Sequence, residues 1–96
     1  MKRILNNLNK AFENKTRLGI MAVLVANEYI DFNGLKDLLG VTDGNLASHI
    51  KHLEKKKYVR FSKEFVDRKP KTRYFATEEG RTAFEQHIKA IEQLLK

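Results

Sequence analysis

Five polar side chains stand close together in the stretch LGVTDGNLASHIKHLEKKKYV, from Leu39 to Val59: Thr42, Asn45, Ser48, His49 and His52. Hydroxyl, amide and imidazole groups within a few helical turns suit either nucleophilic catalysis or hydrogen-bonded recognition. Catalysis fits poorly. Ser48 and His49 are sequence neighbours, and helical neighbours point about 100° apart, so they make a poor nucleophile–base pair. The chain has no cysteine, no glycine-rich phosphate loop and no His–Glu metal spacing, so no enzyme, cofactor or metal is expected. Recognition fits better. Short polar groups in the first turns of a helix suit base edges, and Asn45 matches N6 and N7 of adenine. Lys51 and Lys55 further along suit phosphates.

These side chains need a helix to present them, and the apolar pattern supplies one. Leu46, Ile50 and Leu53 recur at i, i+4 and i+7 as one buried stripe. Thr42 is placed to cap that helix, and Asp43 suits the positive end of its dipole. Upstream, Ile4, Leu5, Leu8 and Phe12 have the spacing of a short amphipathic helix. Asn14 or Thr16 can cap a second helix with Leu18, Met21, Leu24 and Val25 inward. Tyr29–Asp31 suggests one extended stretch. Asp31 or Asn33 then caps a short helix with Leu35, Leu38 and Leu39 inward, closed by Gly40. Two helices joined by the tight turn LLGVTD form a helix-turn-helix pattern.

After Tyr58 the period changes from helix to strand. Val59, Phe61 and Phe65 alternate with polar residues, and Thr72–Ala76 forms a second β-like run. Pro70 cannot donate to a sheet ladder, which places it in the loop between them. The result is a β-hairpin tipped with Arg68, Lys69 and Lys71. A final helix follows, capped by Thr77, with Phe84, His87, Ile88, Ile91, Leu94 and Leu95 on one stripe. From Glu78 to Leu95 it would be about 27 Å long. A body this small cannot cover such a helix alone.

At 96 residues the chain is expected to be a single domain. Its longest strongly apolar stretch, Leu18 to Ala26, is too short to span a bilayer. The N-terminus has no signal-peptide pattern, and the lack of cysteine fits a cytoplasmic protein. Net charge is +7, unevenly spread: residues 43–73 carry +6, residues 1–42 carry +2 and residues 74–96 carry −1. A basic segment this localised suits a polyanionic partner.

The segments FNGLKDLLGVTDGNLASHIKHLEKKKYV (32–59) and DRKPKTRYFATEEGRTAF (67–84) resemble the winged-helix transcriptional regulators of the MarR and ArsR superfamily, most closely the small MarR-like members. The resemblance implies a mainly α fold with a small β-hairpin: a winged helix-turn-helix whose Thr42–Lys56 helix lies in the major groove of double-stranded DNA. The thiolate motif of ArsR-type metal sensors is absent. Thr42, Asn45, Ser48, His49 and His52 are then candidates for base edges. Lys51, Lys55, Arg68, Lys69, Lys71 and Arg73 are candidates for phosphates. The resemblance also implies a homodimer, with Leu5, Leu8, Phe84, His87, Ile88, Ile91, Leu94 and Leu95 as interface candidates and the helix at about 78–95 at its centre. Repression from a pseudo-palindromic site is the expected activity, and any small-molecule effector is unspecified. Two other readings remain open: a winged-helix protein-interaction module and non-specific architectural DNA binding.

Overall fold

The computed structural model describes all 96 residues. The elements are α1 (Lys2–Asn6), one 3-10 turn (Lys10–Phe12), α2 (Lys15–Ala26), β1 (Ile30–Asp31), α3 (Phe32–Leu39), α4 (Asp43–Lys55), β2 (Val59–Val66), β3 (Lys69–Ala76) and α5 (Glu78–Leu94). This is the winged-helix α+β arrangement. Each helix from α2 to α5 begins on a side chain that accepts an otherwise unpaired backbone N–H: Asn14 for α2, Asp31 for α3, Thr42 for α4 and Thr77 for α5. Gly40, at φ +64°, ends α3. Helix α4 ends on a lysine in the same left-handed region, Lys57 at φ +65°. There the Tyr58 N–H donates to Leu53 O and the Lys57 N–H to Glu54 O, the paired closure usually built on glycine.

The N-terminal pattern from Ile4 to Phe12 does not form one helix. Helix α1 stops at Asn6, and Asn9 starts a separate turn by accepting the Ala11 N–H at 2.9 Å. Asparagines at 6, 7 and 9 offer the backbone local partners that compete with a continuous helix.

Phe12, Ile20, Met21, Leu24, Leu35, Leu46, Ile50, Leu53 and Val59 form the core. The inward set of α2 is therefore shifted: Ile20 is buried, whereas Leu18 and Val25 are only partly covered. On α3, Leu35 is buried but Leu38 is 65 % exposed. Leu35 and Leu39 are one turn apart on the face that meets α2, and Leu38 points away from it.

The sheet is antiparallel in the order β1-β3-β2. Its hairpin runs in register from Val59 opposite Ala76 to Val66 opposite Lys69. Only Asp67 and Arg68 form the turn, both at positive φ (52° and 65°), as the mirror-image two-residue turn requires. Pro70 is thus a strand residue opposite Phe65, not a loop residue. In a two-residue hairpin the pair flanking the turn, here Val66 and Lys69, is the hydrogen-bonded one, so the next pair, Phe65 and Pro70, is the non-bonded one. The proline nitrogen then faces the edge that the two-residue β1 does not reach. The alternation of β2 is real, but only Val59 is buried; Phe61 is 47 % and Phe65 80 % exposed. The hairpin leaves the body as a wing, and the molecule measures 53 × 25 × 21 Å.

Candidate nucleic-acid interface

Leu46, Ile50 and Leu53 anchor α4 to the core. The opposite face carries Thr42, Asn45, Ser48, Lys51 and Lys55 in the open, with His49 and His52 half-buried beside it. Asp43 is held by Lys36 of α3 at 2.8 Å, and that contact raises the lysine pKa through its hydrogen bond and charge. The aspartate therefore belongs to the α3–α4 turn.

Two of the polar residues on α4 are already engaged by α2. The Thr16 hydroxyl donates to Asn45 Oδ1 at 3.1 Å. Arg17 donates through Nε to Ala11 O at 2.7 Å, and its Nη1 lies 3.2 Å from His49 Nδ1. Burial, then the Arg17 charge, pushes the His49 pKa down. His52 is shifted down by burial first, then by Arg17 and the neighbouring cations. Both imidazoles are accordingly favoured neutral near pH 7. Nothing in the sequence marks Arg17 as part of this site. Its partner on α4 lies 32 positions away, and no periodicity along one helix reveals which residue crosses another.

The register of the wing sorts its cations. Lys69, Lys71 and Arg73 share one sheet face with Arg60 and Glu64, while Pro70, Thr72 and Tyr74 share the other with Val59. Arg73 pairs with Glu64 at 2.6 Å, and its guanidinium lies over the Tyr29 ring, 4.3 Å from the centroid. Of the cations expected at phosphates, Arg73 is therefore the one committed to the sheet itself. Lys71 lies 3.9 Å from Asp31 of β1. Arg68 and Lys69 are exposed at the wing tip. Arg60 stacks on Phe75 at 4.0 Å, which alternation alone did not reveal.

The stripe expected at a subunit interface divides too. His87 is 4 % exposed. Its Nδ1 accepts the Asn9 N–H at 2.9 Å, and its ring meets Phe12 at 5.4 Å. It is a core residue of its own chain rather than an interface residue, because the turn after α1 folds over it. Phe84 packs edge-on to Phe12, and Leu8, Ile88, Ile91 and Leu94 are partly covered. Leu5 at 50 % and Leu95 at 82 % stand open. No three His, Cys, Asp or Glu side chains converge as a metal site. No helix is long and apolar enough to cross a membrane.

Residues 16–95 match the family model for a winged helix DNA-binding domain. An uncharacterized protein of Methanocaldococcus jannaschii is 41 % identical over 87 residues, covering 91 % of this chain and 95 % of that protein. A solved transcriptional regulator homologue from Pyrococcus horikoshii OT3 superposes with a TM-score of 0.86 at 30 % identity, covering 98 % of this chain and 91 % of the other. A MarR-family protein of Enterococcus faecalis V583 superposes at 0.72 with 23 % identity, covering 88 % and 73 %, a likeness of fold. The architecture is that of transcriptional regulators rather than of enzymes, and this chain belongs to the winged helix DNA-binding domain family.

Proposed function

We propose that residues 1–96 act as one cytoplasmic winged-helix unit that binds double-stranded DNA sequence-specifically, as a homodimer on a pseudo-palindromic site, and represses by occupying promoter DNA. The observation that carries this reading is the pairing of an anchored α4, polar at its opening turns, with an exposed basic wing tip. Asn45, Ser48, His49 and His52 meet base edges. Thr42 at the helix start is a further base-edge residue, and the free N–H groups of the first α4 turn meet a phosphate. Lys51, Lys55, Arg68 and Lys69 neutralise further phosphates, with Lys71 in a lesser part because Asp31 shares it. Two open leucines, Leu5 in α1 and Leu95 at the end of α5, support dimerisation along these helices, with Leu8, Ile88, Ile91 and Leu94 beside them. Two copies of α4 would then sit about 34 Å apart on one side of the duplex.

The test is selection from a random duplex library, then fluorescence anisotropy of the winning site at two salt concentrations with competitor DNA. A pseudo-palindromic winner that survives competitor supports the reading. If the dimer neutralises about 6–10 phosphates, affinity falls roughly 10³–10⁵-fold between 50 and 200 mM salt. Binding without a winner would point to an architectural role. No binding at low salt would point to a protein-interaction module.

A further inference from the structure

Helix α2 does more than fill the core behind α4. Asn14 caps it by accepting the Thr16 and Arg17 N–H groups, both at 3.0 Å. That cap sets the first turn against α4, where Thr16, 7 % exposed, reaches Asn45 and Arg17 reaches His49. The Arg17 contact has a definite polarity. A guanidinium keeps its proton and has no lone pair to offer, so it only donates. His49 Nδ1 must therefore be the acceptor. A neutral imidazole with a lone pair on Nδ1 carries its proton on Nε2. The guanidinium is itself held, because its Nε donates to Ala11 O at 2.7 Å. The ring is thereby fixed in both tautomer and orientation.

We infer that Arg17 is a positioning residue that determines base specificity: by occupying His49 Nδ1 it makes His49 a pure hydrogen-bond donor, so that α4 selects guanine over cytosine at the base His49 meets. The inference rests on the DNA-binding reading above. Guanine presents two acceptors, N7 and O6, in the major groove, whereas cytosine presents the N4 amine donor. A donor facing a donor leaves both unpaired. One hydrogen bond of this kind separates the two bases by about 3–10-fold in affinity. One turn earlier, the Thr16 hydroxyl takes up acceptor capacity of Asn45 in the same sense. Two residues that need not touch DNA thus set what the recognition helix asks of it.

A double-mutant cycle tests this with the full chain. Sites are selected for the wild type, Arg17→Met, Arg17→Lys, His49→Ala and the double variant Arg17→Met with His49→Ala. Circular dichroism confirms that each variant is folded. The base pair read by His49 is the one whose preference His49→Ala abolishes. There the wild type should favour guanine over cytosine about 3–10-fold. Arg17→Met should bring that ratio to about one while preferences elsewhere persist. Arg17→Lys should restore part of it, because an ammonium still donates to Nδ1. In the His49→Ala background Arg17→Met should change nothing at that position. A wild-type preference for cytosine there would overturn the inference. So would an Arg17→Met loss that is equal for all sequences and persists without His49. In the free protein, long-range ¹H–¹⁵N spectra should show His49 protonated at Nε2 and not at Nδ1; the opposite tautomer overturns the inference independently of DNA. A wild type that selects no sequence defeats the DNA reading itself and this inference with it. The spectra then show whether the tautomer argument stands.

Discussion

Gly80 and Gly44 should respond in opposite directions to the same substitution. Both lie near a helix start, Gly80 in α5 and Gly44 in α4. On propensity alone, alanine for glycine inside a helix gains about 1 kcal/mol. At Gly80 the tertiary structure reverses this. A Cβ there would lie 2.2 Å from Tyr58 O and 2.9 Å from Tyr58 C and Cα, whereas a relaxed carbon–oxygen contact is about 3.3 Å or more. The backbones must separate by about 1 Å, and neither is free to move. Tyr58 O accepts the Thr77 N–H at 3.0 Å, while the Thr77 hydroxyl donates to Lys57 O at 2.7 Å and accepts the Gly80 N–H at 2.9 Å. Overpacking costs about 1–3 kcal/mol, and disturbing the cap costs about 1 kcal/mol more. After the propensity gain, Gly80→Ala should destabilise by about 1–3 kcal/mol. For a domain of this size that is a fall in Tm of roughly 5–20 °C. Gly44 has no atom within 4 Å of its added Cβ, so Gly44→Ala should stabilise by about 0.5–1 kcal/mol. Thermal unfolding followed by circular dichroism reads both. An unchanged or raised Tm for Gly80→Ala would refute the argument that α5 docks through backbone contact at Tyr58.

Acidification should destabilise the fold. Burial is the leading cause that lowers the pKa of His49, His52 and His87, so the unfolded chain binds more protons as pH drops. The contribution is fully present above the unfolded value of about 6.5 and is lost as pH falls through the lower folded values. Urea midpoints measured near neutrality and near pH 5 check this, and His87→Phe should narrow the gap between them; an unchanged gap would mean His87 does not contribute. Arg73→Gln should lower stability by about 1 kcal/mol, by removing the Glu64 pair and the Tyr29 stack, yet leave the salt slope of DNA binding unaltered. Arg68→Asn should do the reverse: asparagine tolerates the positive φ of 65°, while the slope should fall by about one per lost phosphate contact. Equal slopes in both variants would contradict this division of the wing. Ile91→Asp combined with Leu95→Asp should yield monomers in sedimentation, and an intact dimer would place the interface elsewhere.

The winged-helix order was legible because it rests on short-range rules. The 3.6-residue stripe of Leu46, Ile50 and Leu53, the caps at Asp31, Thr42 and Thr77, the stop at Gly40 and the change to alternation at Val59 are all local. Each acts within a turn or two of the chain. Local rules do not decide what depends on how elements meet. A proline lacks the donor a strand needs, which points Pro70 to a loop, but its place depends on how far β1 extends along β3. Phe61 and Phe65 alternate properly, yet their exposure depends on where the body ends beneath the wing. The candidate site shows the same division. The polar and basic residues of α4 were visible as a pattern. Which of the candidates on α4, on the wing and on α5 are already engaged is decided by pairs that meet only in the folded chain: Thr16 with Asn45 and Arg17 with His49 on α4, Glu64 and Tyr29 with Arg73 on β3, and Asn9 with His87 on α5. Composition and periodicity determine which face an element shows; only the crossing of elements determines which donors and acceptors on that face remain unpaired, because a hydrogen bond forms between neighbours in space and periodicity reports only neighbours in sequence.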